Sequence, residues 1–105
     1  MGLTIFWTNF AKRELKNIYA YHKRFVSIRV AKKMVSEITN EAKKLSKQSE
    51  IGQIEKSLYD NPKQFRYLVY GNYKILYLEN NNLKRIEIID VFDCRQNPIK
   101  IKRGK

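Results

Sequence analysis

The hydrophobic period of this sequence changes from helical to alternating about halfway along the chain, and this change limits the folds that it can adopt. In the first half, apolar residues recur every three or four positions over two stretches, which predicts two amphipathic helices. Thr8 or Asn9 can cap the first helix and Ser27 the second. Few residues separate the stretches, so an antiparallel helical hairpin is expected. The helical positions are Ala11, Leu15, Ile18, His22 and Phe25, then Ile28, Ala31, Val35, Ile38, Ala42 and Leu45.

The second half alternates with a period of two, which is typical of β-strands. A short apolar run before the helices predicts one further strand. Between the helices and the later strands the pattern dissolves, and Gly and Pro residues indicate a loop. In chain order we predict a strand at 3–7, a loop at 46–64, strands at 65–70 and 73–79 around a Gly71-Asn72 turn, a turn at 80–82 and a strand at 84–93.

The resulting element order is β-α-α-β-β-β. Helices that precede most of the strands indicate the α+β class, here an antiparallel sheet with an N-terminal helical hairpin packed on one face. The short first strand is expected at an edge of that sheet. A chain of 105 residues can form one core, so residues 1–105 are expected to be a single domain with a basic tail from about residue 96.

Positive charge and a single cysteine restrict the function classes. Lys and Arg total 22 against 10 Asp and Glu, a net charge of +12, which predicts a polyanionic partner such as DNA, RNA or an acidic protein.

Cys94 cannot form an internal disulfide, and the N-terminus lacks a signal-peptide pattern, so a cytoplasmic protein is expected. No apolar run approaches the length of a membrane span. No ligand spacing for a metal is present, and no cofactor is expected.

The turn at Gly71-Asn72 determines whether two basic residues can act together. In a two-residue hairpin loop, Arg66 and Lys74 face opposite sides of the sheet. An odd-length loop would place them on one face, where they could clamp a phosphate. The two-residue loop is favoured, and it makes Arg66 a structural residue near a carboxylate such as Glu87 or Asp90.

The order, spacing and length of these segments resemble the RelE/ParE superfamily of type II toxin–antitoxin toxins, which includes plasmid stabilisation proteins. The resemblance covers nearly the whole chain and is most specific at Arg66, at residues 73–77 (YKILY) and at residues 91–98. It implies a small basic bacterial toxin that arrests growth and is neutralised by a co-expressed antitoxin. Some similar proteins cut mRNA in the ribosome, and others inhibit DNA gyrase without RNA chemistry.

The resemblance also implies candidate catalytic residues for the ribonuclease alternative. Ribonucleases of the family carry one basic residue at the position of Lys74 and a second beyond the last strand, where Arg95 is the nearest match. Lys74 would stabilise the charge that develops on the phosphate in a metal-independent cleavage. A Tyr or His usually follows, and residues 96–102 contain neither.

This departure from the ribonuclease pattern favours a ParE-like gyrase inhibitor, which is not an enzyme. The charge of +12 favours the ribonuclease, because it suits docking into ribosomal RNA. A third alternative is a non-catalytic nucleic-acid-binding domain on the same fold.

Candidate contacts with nucleic acid or another target are the basic residues of the strands and tail: Arg66, Lys74, Arg85, Arg95, Lys100 and Lys102. The antitoxin segment is expected to be acidic and to dock as an amphipathic helix in a groove or as a strand added to the sheet. We therefore expect a hydrophobic groove beside the helical hairpin, rimmed by Lys and Arg.

Several other residues have a structural and a functional interpretation. His22 lies on the apolar face of the first helix and is expected to be packed rather than to act as a base. Cys94 is expected to be an inert thiol at a strand end. Tyrosines of the strands could stack on bases, but tyrosine is also a common strand residue; they are Tyr67, Tyr70, Tyr73 and Tyr77.

Overall fold

A computed structural model describes residues 2–56 and 63–94 of the chain. Two helices lie between a first strand and four further strands. The elements, numbered in chain order, are β1 (Thr4–Trp7), α1 (Asn9–Phe25), α2 (Ile28–Lys43), a 3-10 turn (Lys44–Ser46), β2 (Gln53–Ile54), β3 (Arg66–Tyr70), β4 (Tyr73–Asn80) and β5 (Arg85–Asp93). In the described ranges, neither helix combines the length and the apolar character that a membrane span requires.

Hydroxyl side chains begin both helices, as the sequence predicts. The Thr8 hydroxyl accepts a hydrogen bond from the Ala11 amide at 3.1 Å and donates to the Ile88 carbonyl at 2.9 Å. The Ser27 hydroxyl accepts from the Val30 amide at 3.1 Å. These bonds satisfy amides that have no partner inside a helix, and Thr8 also ties the start of α1 to β5.

The sheet has the strand order β1-β5-β4-β3-β2, and it is mixed rather than wholly antiparallel. β1 lies at an edge, as expected, but it pairs with β5 in parallel. No hairpin turn fixes the direction of β1, because the two helices connect it to the rest of the sheet. β3, β4 and β5 pair antiparallel, as predicted. β2, which was not predicted, also pairs antiparallel with β3.

A two-residue strand lies within the segment predicted to be a loop. β2 pairs with the start of β3, with Gln53 opposite Tyr67 and Ile54 opposite Arg66. Two residues are too short for a period of two to be visible in the sequence, so the pattern gave no signal for this strand.

Both faces of the central strands are buried, and the helical hairpin covers one of them as predicted. On that face, helix residues such as Ala11, Ile18 and Ile38 pack against Ile75 and Ile88 of the sheet. A second cluster on the opposite face contains Phe65, Leu76, Leu78 and Phe92. Every strand residue therefore has a defined side, which fixes the register of the candidate site residues.

Candidate functional site

The predicted two-residue turn between β3 and β4 is confirmed. Gly71 has a φ of +58°, a conformation that glycine adopts without steric strain. Arg66 consequently lies opposite Tyr77, and Lys74 lies opposite Val69 on the other face. The structure thus separates Arg66 from Lys74, and the two cannot clamp one phosphate together.

Arg66 is a structural residue, but its predicted carboxylate partner is wrong. Its guanidinium donates to the Gly52 carbonyl at 2.8 Å and to the Glu50 carbonyl at 3.4 Å. Glu87 and Asp90 lie on β5, which is separated from β3 by β4. Arg66 instead reaches sideways to the segment that leads into β2. An open cleft of about 670 Å³ beside it carries balanced charge, with Lys63 and Arg66 against Glu50 and Glu79.

Lys74 is held by a buried carboxylate on the face of the sheet away from the helices. Its ammonium nitrogen lies 3.3 Å from Glu55 Oε1 and 4.1 Å from the centre of the Tyr67 ring. The Glu55 side chain is 8% exposed and that of Lys74 25%. Sequence reasoning missed Glu55, because it follows β2 in the segment assigned to a loop, where no pattern marked it. The main interaction of Lys74 is therefore its ion pair with Glu55, and only a quarter of its side chain is exposed to a partner.

Arg85 is also engaged within the protein. Its Nε and a terminal nitrogen both lie 2.9 Å from Glu87 Oε2, and its guanidinium covers the Phe6 ring at 3.9 Å. Asn80 donates to the same carboxylate oxygen at 3.1 Å. Three candidate contact residues of the strands, Arg66, Lys74 and Arg85, thus hold the sheet together.

The remaining candidate residues, Arg95, Lys100 and Lys102, lie outside the described residues. Their roles, including that of Arg95 as a second catalytic residue, stay predictions. The chain reaches them from the end of β5, where the Cys94 amide donates to the Asn72 carbonyl at 2.9 Å. The last described residue, Cys94, therefore lies at the end of the sheet that contains the β3–β4 turn.

Most strand tyrosines are used in packing rather than presented for base stacking. Tyr70 donates to Glu37 of α2, and the Tyr73 hydroxyl lies 3.0 Å from Nε2 of His22. Tyr77 donates to the Ser49 carbonyl at 2.7 Å. These three tyrosines lie on the helical side of the sheet, and Tyr67 lies on the other face. His22 is packed, as expected.

Tyr77 and Gly52 form a tight contact beneath Arg66. The Gly52 amide donates to the Tyr77 hydroxyl at 3.0 Å. Burial raises the pKa of the Tyr77 phenol above its usual 10.0, and the Gly52 amide and the charge of Arg66 partly oppose this shift. A Cβ atom at position 52 would lie 2.8 Å from the Tyr67 carbonyl oxygen, so the site requires glycine.

The positive charge of the protein is concentrated in the helical layer. Residues 9–47 contain eleven basic and three acidic residues, a net charge of +8. Residues 63–94 contain five basic and four acidic residues, a net charge of +1. Three acidic side chains cannot neutralise eleven basic ones, so most of the positive charge of the helical layer faces solvent. An electrostatic partner is therefore attracted to the helices more strongly than to the sheet.

The predicted hydrophobic groove is present on the helical hairpin. It has a volume of about 360 Å³ and combines three apolar side chains with two exposed lysines: Leu15, Tyr19 and Val35, with Lys12 and Lys16. Apolar anchors beside lysines suit an amphipathic helix that carries acidic residues.

Comparisons with known proteins agree with this architecture. A family model described as the ParE toxin of the type II toxin–antitoxin system, parDE, matches residues 5–98. A solved structure titled as the chromosomal ParDE TA system from P. aeruginosa has the same fold, with a TM-score of 0.70 and 20% identity, covering 87% of this chain and 95% of that chain. A search of curated proteins gave no match. Because the family model spans nearly the whole chain, the predicted resemblance is confirmed, and this protein belongs to the ParE toxin family of type II toxin–antitoxin systems.

Proposed function

We propose that this protein arrests bacterial growth by inhibiting DNA gyrase in the cytoplasm, and that a cognate acidic antitoxin neutralises it. The observation that carries the proposal is the match of residues 5–98 to the ParE toxin model. Within the superfamily, gyrase inhibition is the activity that a ParE-like toxin implies. The protein then acts by binding, and it needs no catalytic residues.

The contacts of Lys74, one member of the candidate ribonuclease pair Lys74 and Arg95, support inhibition over RNA cleavage. A ribonuclease requires cations that meet at one phosphate. Arg66 and Lys74 lie on opposite faces, and Lys74 is already paired with Glu55. Among residues 2–56 and 63–94, the strand bases named as contacts do not converge on one point. The sequence beyond Pro98 also lacks the Tyr or His expected of a ribonuclease.

The groove on the helical hairpin supports the proposed antitoxin contact. We expect an antitoxin helix to place apolar residues against Leu15, Tyr19 and Val35 and acidic residues near Lys12 and Lys16. The outer edge of β1 offers strand addition as a second docking mode. The Thr4 amide donates to the Lys84 carbonyl just before β5, and the Thr8 amide donates to the Ile88 carbonyl of β5. Because amides alternate along a strand, those of Ile5 and Trp7 point to the outer edge.

The groove can be tested by rescue of growth with the co-expressed antitoxin. Tyr19→Asp places a carboxylate among the apolar anchors and should abolish rescue while leaving the toxin active. Asn17→Asp adds the same charge at an exposed position of α1 outside the groove, and it should still be rescued. Rescue of Tyr19→Asp equal to that of the control would contradict this antitoxin site.

Gyrase inhibition can be tested with purified components. We expect the protein to block supercoiling by DNA gyrase and to leave relaxation by topoisomerase I unchanged. In cells, induced expression should stop DNA synthesis while protein synthesis continues and mRNA stays intact. Rapid mRNA cleavage that Lys74→Ala abolishes would establish the ribonuclease alternative instead. Normal growth with folded protein present would contradict a toxin function.

A further inference from the structure

The connection between the two helices exposes a cluster of apolar side chains. Their exposed fractions are 53% for Tyr21, 64% for Phe25, 59% for Val26 and 50% for Ile28. Large apolar side chains this exposed and this close together commonly mark an interaction site. We call this cluster, with its neighbouring bases Lys23, Arg24, Arg29 and Lys32, the hairpin tip.

The hairpin tip is held by contacts within the chain. The amides of Val26 and Ser27 both donate to the His22 carbonyl at 2.9 Å, which closes the end of α1. The rings of Tyr21 and Phe25 lie 5.0 Å apart, and Arg24 covers Phe25 at 5.4 Å. A surface already held in place loses little conformational entropy on binding, which favours affinity.

The hairpin tip is also connected to the sheet. The Tyr21 ring packs edge-on against His22 at 5.2 Å, and His22 Nε2 lies 3.0 Å from the Tyr73 hydroxyl. The β3–β4 turn lies at this end of β4 and β5, where the Cys94 amide donates to the Asn72 carbonyl. The hairpin tip and the β3–β4 turn are therefore at the same end of the described structure.

Charge indicates which kind of partner fits this surface. Residues 16–33 contain six bases and no acid, and the flanking acids are Glu14 and Glu37. A second copy of the chain would bring two such surfaces together and is opposed by repulsion. A complementary surface must be acidic around an apolar pocket.

The apolar component favours a protein over a nucleic acid or a membrane. Val26 and Ile28 are aliphatic, so they neither stack on nucleotide bases nor bind phosphate. Tyr21 and Arg24 belong to the residue types that are enriched in the hot spots of protein interfaces. Four half-exposed side chains bury too little apolar surface to hold a protein stably in lipid.

We propose that the hairpin tip is the docking surface for the cellular target of the toxin, an acidic protein that presents an apolar pocket. The proposal rests on the proposed toxin function and adds the contact surface to it. The hairpin tip shares no residue with the antitoxin groove, whose lining is Lys12, Leu15, Lys16, Tyr19 and Val35. Target binding and antitoxin binding are thus assigned to different parts of the same hairpin.

Two double variants with matched controls test this surface. Phe25→Ser with Val26→Ser removes apolar contacts, and its control is Val69→Ser with Leu83→Ser, at positions exposed by 53% and 57%. Arg24→Glu with Arg29→Glu reverses charge. Its control is Lys47→Glu with Lys56→Glu, at exposed positions away from the hairpin tip. Unchanged circular dichroism and melting temperature establish that each variant is folded.

Binding to purified DNA gyrase and growth arrest in cells are the two measurements. We expect both tip variants to bind gyrase about tenfold or more weakly and to lose growth arrest, while both controls behave as wild type. Added salt should weaken wild-type binding more than binding of the Arg24→Glu/Arg29→Glu variant, because salt screens the charges of the hairpin tip.

The outcomes separate this proposal from the proposed function. If wild type arrests growth without binding gyrase, gyrase inhibition fails, and loss of arrest in the tip variants still supports a docking role. If wild type binds gyrase and the tip variants bind equally well, the proposed docking role of the hairpin tip is overturned, and the proposal of gyrase inhibition stands. If the tip variants instead lose binding to vesicles with anionic lipid or to single-stranded RNA, with gyrase binding unchanged, the assignment to an acidic protein is overturned.

Discussion

The helical layer and the sheet use their basic residues in opposite ways. In the sheet, Arg66, Lys74 and Arg85 bind carbonyls or carboxylates of the same chain. In the helical layer, the excess of eleven bases over three acids leaves most of the charge without an internal counterion. The net charge of a small domain therefore says little about where a partner binds. The distribution of its counterions says more.

The contrast separates stability from recognition. Basic residues of the sheet bind carbonyls or carboxylates within it, so their loss should weaken the fold. Bases of the helices contact solvent, so their loss should weaken binding and leave the fold almost unchanged. Each region can be tested by substituting its basic residues and measuring the property assigned to the other region, which is binding for the sheet and stability for the helices.

The largest effect on stability is expected at the contact beneath Arg66. Gly52→Ala places a Cβ atom 2.4 Å from the Tyr77 hydroxyl and 2.8 Å from the Tyr67 carbonyl oxygen. We expect the free energy of unfolding to fall by about 3 kcal/mol, because the backbone oxygen cannot move away without shifting β3. Urea denaturation measures the loss. A change within experimental error would show that this edge of the sheet is loosely packed.

A smaller loss is expected at Lys74, and it contrasts the two regions directly. Lys74→Ala leaves the carboxylate of Glu55 buried without its cation, and we expect a loss of about 2 kcal/mol. Lys32→Ala removes an exposed helical base and should change the free energy of unfolding by less than about 0.5 kcal/mol. Equal effects of the two substitutions in urea denaturation would contradict the division between the layers.

The phenol of Tyr77 should make the sheet sensitive to alkaline pH. Its pKa is raised by burial, so its proton is held more tightly in the folded state than in the unfolded state. The stability that this provides is complete below the unfolded value of 10.0 and is lost as the pH rises above it. Tyr77→Phe should cost about 1 kcal/mol at neutral pH, because it removes the bonds to Ser49 and Gly52.

The variant and wild type are compared by denaturation at pH values on either side of 10.0. The difference between them should shrink at the higher pH, because wild type alone loses the contribution of this phenol. A constant difference would mean that Tyr77 keeps its ordinary titration in the folded state.

The smallest effect is a gain in stability in the helical layer. Lys16→Glu places an acid within one turn of Lys12 and Arg13, and it should stabilise α1 by about 0.3–0.5 kcal/mol. Lys16 lines the groove, so the same change should weaken antitoxin binding. Thermal unfolding and rescue of growth measure the two properties. A stability loss would show that Lys16 already has a structural role.

Local rules predicted most of the fold. Thr8 and Ser27 cap their helices because a hydroxyl before an amphipathic run satisfies nearby amides, whatever the rest of the chain does. Gly71-Asn72 fixed the register of β3 and β4, and with it the separation of Arg66 from Lys74. The groove followed from two amphipathic helices whose outer faces carry both apolar and basic residues.

Long-range choices were beyond local rules. The parallel direction of β1 and the pairing of Lys74 with Glu55 depend on which segments meet after the core forms. Arg66 had several acceptors within its possible reach, and the position of β2 decided between them. The partners of Arg66 and Lys74 are thus unpredictable from sequence for a physical reason. A long basic side chain binds whichever acceptor the tertiary structure brings near it.

The parallel pairing of β1 with β5 has a consequence for the timing of synthesis. Thr4 pairs with Arg85, and the Thr8 hydroxyl that caps α1 is anchored on Ile88. These contacts join segments that lie 80 residues apart along the chain. A nascent chain cannot complete its sheet until β5 has been translated, and such non-local pairing is slow to form. We therefore expect the folded sheet, and any activity that depends on it, to appear only after β5 has been translated.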